Sequence, residues 1–169
     1  MSMTIRTATM DDLDAIAEVE ARCFPPAEAA DRASFQRRLE AFRDHFWLLF
    51  EDGALVSVVD GCVTDTPDLT DAMYEDASLH DEHGAWQMLF GVETVPERQG
   101  RGCAGRLLRH VIGVARAQGR RGLVLTCKER LIPFYARFGF VEEGLSQSVH
   151  GDAVWYQMRL TFAPEEGEA

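Results

Sequence analysis

The segment Arg98-Gln99-Gly100-Arg101-Gly102-Cys103-Ala104-Gly105 constrains this chain more than any other. Residues 85–94 before it read as a strand. Leu107, Leu108, Val111, Ile112 and Ala115 after it recur at helical spacing, and Gly119 ends the run. A chain that passes from strand to helix through three glycines in six residues can bring its backbone close to a ligand. The first N–H groups of that helix have no carbonyl of their own to bond and so face outward, where they attract anions. Arg98 and Arg101 add guanidinium groups that pair with phosphate oxygens. The competing reading is an ordinary turn that needs glycine only for its dihedral angles.

Charge is distributed to match. The whole chain carries −11, with 17 basic and 28 acidic residues. Between Arg98 and Arg137, however, stand ten basic residues against one acid, Glu129. One stretch is therefore suited to an anion, while the acidic remainder draws cations and argues against nucleic acid as a partner. No apolar run reaches the length of a membrane span, and the first ten residues do not read as a signal peptide. Cys23, Cys62, Cys103 and Cys127 form no CxxC pair and no zinc spacing, which gives an expectation of free thiols in a reducing cytoplasm and no metal.

Along the chain, residues 3–8 read as a strand and Thr9 with Asp12 as a cap. The helix that follows runs to about Arg22, with Leu13, Ile16, Ala17 and Glu20 at near-helical spacing. Pro25 and Pro26 break the chain, and a second helix is expected at about 31–43. Asp52-Gly53 marks a hairpin between strands 46–50 and 54–64. Residues 65–84 read as a long acidic loop with a helical turn near Tyr74–Leu79, and loops of that length are functional or mobile. Gly122–Cys127 is a buried strand, followed by a short helix near Leu131–Phe138 and strands near 140–144 and 153–162. The order β-α-α-β-β-β-α-β-α-β-β describes one α/β domain over residues 1–163, with 164–169 as an acidic frayed tail.

Gly100-x-Gly102-x-x-Gly105 matches the dinucleotide fingerprint in letters only. Five residues separate it from the strand, and Arg120-Arg121 stand where an acid is needed. No Gly-Lys-Ser/Thr follows, so it is not a P-loop. Gln99-x-x-Gly102-x-Ala104 instead has the form of the acyl-CoA pyrophosphate motif, and the chain resembles the GNAT N-acetyltransferase superfamily. Within it, the pattern is nearest the arylalkylamine (serotonin-type) N-acetyltransferases. The resemblance runs through Val19–Phe24, Asp52–Val56, Leu89–Gly105 and Leu125–Phe140. Pro133-Phe134-Tyr135-Ala136-Arg137-Phe138-Gly139-Phe140 is its most specific element.

The resemblance implies an α-β-α sandwich around a mixed, mostly antiparallel six- or seven-stranded sheet, whose fourth and fifth strands splay apart for acetyl-CoA. It implies that Leu89, Phe90 and Val92 offer backbone groups to the cosubstrate, and that Arg98, Gln99, Gly100, Arg101, Gly102, Cys103, Ala104 and Gly105 hold its pyrophosphate. Tyr135 becomes the acid that protonates the departing thiolate. The partner is a small, cationic or aryl-alkyl amine attacking directly in a ternary complex, with the protein as monomer or homodimer. A protein or peptide acceptor and a non-catalytic acyl-CoA binder are the alternatives.

The two histidines of the arylalkylamine enzymes are replaced here by Trp86 and Met88, so no base is assigned. His80, Glu82, His83 and Glu93 are read as surface residues, and Cys127 as inert core. The long loop's Asp65, Asp68, Asp71, Glu75 and Asp76 are read as a funnel or lid for a cation. Trp86, Met88, Phe24, Phe35, Phe46 and Trp47 are considered as the apolar wall of an acceptor pocket.

Overall fold

The computed structural model describes residues 2–163, so the acidic tail expected at 164–169 lies outside the described residues. The chain begins with β1 (Met3–Thr7) and a single 3-10 turn that leads into α1 (Leu13–Cys23). Thr9 and Asp12 form the capping box, with Thr9 N–H donating to Asp12 Oδ2 at 2.8 Å. Arg6 donates twice to the same carboxylate, at 2.8 Å each, and holds it below the usual carboxylate range. Helix α2 (Arg32–Phe42) is started by Asp31, whose side chain accepts from Ser34 N–H at 2.8 Å.

β2 (Phe46–Glu51) and β3 (Ala54–Asp60) form the hairpin foreseen at Asp52-Gly53, where φ is +50° and +85°. Two successive positive values fit the twist of a tight antiparallel turn. The strand expected over 54–64 is cut at Gly61, leaving β4 (Val63–Thr64) in a different sheet. The strand expected over 85–94 is likewise cut at Phe90, into β5 (Trp86–Leu89) and β6 (Gly91–Thr94). These two breaks turn the seven expected strands into nine among the described residues. One sheet runs β1-β2-β3-β6; the other runs β4-β5-β7-β9-β8, with β7 (Gly122–Cys127), β8 (Val141–Leu145) and β9 (Tyr156–Thr161). Among the described residues only β5 and β7 pair in parallel, so the sheets are mixed and mostly antiparallel, as expected.

Helix α4 (Cys103–Ala117) packs on β2, β3, β6 and β7, while α1 and α2 pack on each other and α1 on β3 and β6. The short α3 (Asp71–Glu75) and α5 (Ile132–Ala136) complete the sandwich. Phe35, Phe46, Trp47, Trp86 and Met88 are buried in the apolar core, so of the aromatic and Met side chains considered for an acceptor pocket only Phe24 reaches a cavity. No helix is long and apolar enough to cross a membrane among the described residues.

Gly61 marks where the chain changes sheets. A Cβ there would sit 1.8 Å from the Met88 carbonyl oxygen and 2.9 Å from the Leu89 Cα, so only glycine lets the two backbones touch. Gly61→Ala is expected to cost about 3 kcal/mol, lowering the melting temperature by roughly 6–12 °C. A thermal unfolding curve that matches the parent would show that the backbones part without penalty.

Candidate active site

The break at Phe90 opens the molecule. β5 pairs with β7 as far as Leu89 and Leu125, after which β6 pairs with β3 alone and β7 with β9 alone. A wedge therefore separates β6 from Thr126 and Cys127. Val95 N–H bonds the Val56 carbonyl at 2.9 Å, and antiparallel alternation from that pair makes Val58 and Glu93 the next bonded pair. The backbone groups of Val92 and Thr94 thus face the wedge. Thr94's carbonyl there accepts from Gln99 Nε2 at 3.1 Å and from the Cys23 thiol at 3.2 Å, leaving Val92 as the open position.

Two cavities meet in this wedge. The larger, about 630 Å³, is lined by the glycine turn and the start of α4, together with Arg98, Arg109, Arg130 and Arg137. Gly100 and Gly102 have φ of +79° and +80°, and a Cβ on either would meet nothing within 4 Å, so the turn borders open space. The first α4 bond across the cap runs from Arg106 N–H to the Gly102 carbonyl at 2.9 Å. The N–H groups of Cys103, Ala104 and Gly105 lie ahead of it, available to an anion. Arg98 is shared, its Nε 3.0 Å from the buried Glu51. Arg109 and Arg137 lie over the Phe138 and Phe134 rings at 5.0 and 6.0 Å, two cations on this wall that the motif did not single out.

Of the residues expected to bind the cosubstrate, Gln99, Gly100, Gly102, Cys103, Ala104 and Gly105 line this cavity with Arg98, and Val92 lines both. Phe90 lines only the smaller one. Leu89 is core, and Arg101 is exposed outside the lining.

The smaller cavity, about 230 Å³, lies between α1, the end of β3, Gly91 and the loops above. Cys23, Phe24, Val92, Arg130, Leu131 and Tyr135 line both cavities, so Tyr135 stands where they join. Its ring is 5 % exposed, and burial, with Cys127, Glu93 and Tyr74 nearby, raises its phenol well above the ordinary value. Such a phenol stays protonated at neutral pH and is a donor. Cys127 is buried, which pushes its thiol up to about 11 and keeps it from acting as a nucleophile.

Acids furnish the floor. Glu20 and Asp60 line the small cavity and Glu93 the large one, and all three are buried. Arg38 Nη1 lies 3.4 Å from Asp60, but burial outweighs that contact and pushes the Asp60 carboxyl up to about 7. Glu93 was expected on the surface; it is 4 % exposed. Glu93 shares a strand face with Gly91 and meets Glu20 of α1 there.

The roof is a set of pinned loops. Asp71 accepts from Ser148 Oγ at 2.5 Å and Val149 N–H at 3.0 Å. His150 donates to the Glu28 carbonyl at 2.6 Å and stacks on Tyr74, with centroids 5.4 Å apart. Lys128 lies 2.8 Å from Glu28. The long loop's Asp65 and Asp68 are also engaged, by Ala85 N–H and by Arg159, so three of its acids serve as fasteners.

His80 and Glu82 sit elsewhere. His45 Nε2 and His80 Nε2 lie 2.9 and 3.0 Å from Glu82 Oε1, and Arg120 lies 3.1 Å from Oε2. Burial raises the Glu82 carboxyl, but the two histidine bonds outweigh it and leave it below the usual range. The cluster fastens the loop to the N-terminal ends of β5 and β7. Gln87, its strand partner, is about 16 Å of strand from Val92. His83 is exposed beside it. None of these residues lines either cavity.

The structure is similar to three solved ones. The loading GNATL domain of CurA from Lyngbya majuscula superposes with a TM-score of 0.82 at 18% identity, over 95% of this chain and 98% of that one. The GphF GNAT-like decarboxylase, solved with isobutyryl-CoA, gives 0.82 at 24%, over 94% and 98%. The ribosomal-protein-S18-alanine N-acetyltransferase from Escherichia coli gives 0.74 at 18%, over 99% of both. The model of the acetyltransferase (GNAT) family matches residues 13–140, which take in the wedge, the glycine turn and Tyr135. The chain belongs to the GNAT acetyltransferase family.

Proposed function

We propose that the protein transfers the acetyl group of acetyl-CoA to the amine of a small cationic acceptor, by direct attack in a ternary complex. The observation that carries this reading is the pair of joined cavities. One is basic and floored by unshielded helix N–H groups; the other is small, aromatic and rich in carboxylates; Tyr135 stands between them. A diphosphate suits the first and an ammonium group the second. The pyrophosphate lies on Gly100, Gly102 and the N–H groups of Cys103, Ala104 and Gly105, and Val92 bonds the pantetheine arm. Tyr135 gives its proton to the leaving thiolate, so that the C–S bond breaks to a neutral thiol.

A small acceptor fits better than a protein tail because the second cavity is only about 230 Å³, with the stacked Tyr74 and His150 on its wall. Phe24, Phe90 and Trp155 on its walls favour an aryl-alkyl amine. Reading four free thiols, three of them buried, we place the protein in the reducing cytoplasm.

Thiol release from acetyl-CoA tests this across 2-phenylethylamine, other alkyl amines and peptides with free N-termini, with release of CO2 from malonyl-CoA alone followed separately. Saturable turnover confined to a small amine is expected. Turnover only on peptides moves the acceptor to protein; decarboxylation of malonyl-CoA, or tight binding with no reaction, overturns the reading.

A further inference from the structure

We propose that Glu20 and Glu93 work as one proton-accepting pair, with Glu93 the catalytic base toward the acceptor's ammonium group and Glu20 the fixed anion that positions and tunes it. The inference rests on the N-acetyltransferase reading above and supplies the base that Trp86 and Met88 do not.

The starting observation is a buried polar group left open. Glu93 is 4 % exposed, and no N–H or hydroxyl donor of the described residues reaches either carboxyl oxygen; the group it meets is the Glu20 carboxyl. Buried polar atoms are nearly always paired, so a carboxyl kept free on a cavity wall calls for a partner that arrives from outside. Glu93 lines the large cavity and Glu20 the small one, so the pair straddles their junction. Gly91 shares the strand face of Glu93 and also lines the small cavity. A Cβ on it would lie 3.2 Å from Glu93 Oε1 and 3.6 Å from Asp60 Oδ1, so the missing side chain keeps the approach to Glu93 uncrowded.

The two carboxyls have different surroundings. Glu20 Oε2 accepts from Ala30 N–H at 2.9 Å, a bond that holds this carboxyl in place. Glu93 has no such donor, and burial first, then the adjacent Glu20, raise it well above the usual carboxylate range. Around it stand Cys23 of α1, Asp60 of β3 with Arg38 of α2 beyond it, and Tyr135 of α5. Two carboxyls with such different partners can divide the roles of fixed group and proton acceptor. Raising a carboxyl above its usual range makes its ionised form a stronger proton acceptor toward an ammonium group.

The proton balance closes. R–NH3+ gives one proton to the Glu93 carboxylate, and the freed lone pair forms the C–N bond to the thioester carbon. The C–S bond breaks as the thiolate takes the Tyr135 proton, and the nitrogen's second proton passes to the Tyr135 phenolate, directly or through water. After reprotonation of Tyr135 and deprotonation of Glu93, acetyl-CoA and the ammonium have become amide, coenzyme A and one proton released to solvent.

The test compares Glu93→Gln and Glu20→Gln with the parent on 2-phenylethylamine, an ammonium at pH 7, and on aniline, already neutral there. Glu93→Gln is expected to lower kcat on 2-phenylethylamine about 100-fold and to abolish the acid limb of the kcat–pH profile. Its acetyl-CoA affinity by calorimetry stays within about twofold of the parent, and aniline turnover falls far less. Glu20→Gln keeps the limb but moves it to lower pH, because removal of a neighbouring anion lowers the pKa of Glu93. A carboxyl that merely fills space moves neither limb, and thermal unfolding of both variants exposes a folding defect. An unchanged limb in Glu93→Gln, or equal losses on the two amines, overturns the pair while leaving the transferase reading intact. A parent protein that binds coenzyme A yet acetylates no amine overturns both.

Discussion

Tyr135→Phe keeps its affinity for acetyl-CoA and loses about 100-fold in kcat for acetyl transfer. The substitution removes one oxygen from a ring that is 5 % exposed and held edge-on by Phe134 and Phe140, with centroids 5.0 and 5.9 Å away. Packing is therefore retained, and any change in rate reports on the hydroxyl. A thiolate leaving without a proton is a poorer group to expel, and positioned acids contribute on the order of 10²–10⁴ in rate. The pH profile gives a second readout. Burial raises the phenol, so it stays protonated through the mildly alkaline range and imposes no descending limb there. Stopped assays of thiol release from pH 6 to 9, with calorimetry on the same preparations, make the measurement. Retention of most of the parent kcat in the Phe variant would remove Tyr135 from the chemistry.

Gly102→Val acts on binding instead. Its backbone φ is +80°, a region that β-branched residues scarcely enter, and it caps the N-terminus of α4. Valine forces the turn to relax, and its methyl groups intrude on the space where a diphosphate meets the first N–H groups. Charge-assisted hydrogen bonds contribute about 1.5–3 kcal/mol each, so the loss of two weakens coenzyme A binding by roughly 100-fold or more. The rest of α4 is anchored by Leu107, Leu108, Val111 and Ala115, all buried, so the melting temperature should fall only a few degrees. Equal heats of binding for parent and variant would show that the anion sits elsewhere.

Both sites lie in segments where the sequence speaks locally. The glycine turn, the Asp52-Gly53 hairpin, the amphipathic face of α4 and the short helix carrying Tyr135 are written in residues a few positions apart, and they are found where expected. The strand breaks at Gly61 and Phe90 are not written that way. Each depends on a backbone far along the chain: Gly61 on Met88 and Leu89, Phe90 on the Asp60 carbonyl that accepts its N–H at 2.7 Å. The same holds for Glu93. One acid in an apolar run looks like a strand end meeting water, and only the packing of α1 over β6 shows that it faces Glu20. Asp71 was legible as an acid in a loop, but its employment by Ser148 and Val149 required the fold.

A sheet split at Phe90 holds a gap in its own middle, as though one strand had been left out. Whatever ligand lays its amides along Val92 supplies the missing rung, and a species that binds only the folded chain holds it folded in proportion to its concentration. The empty protein is then the vulnerable form, most open to proteases and to unwanted pairing with other chains. On the binding mode proposed above, its lifetime in a cell is expected to follow the local supply of thioester.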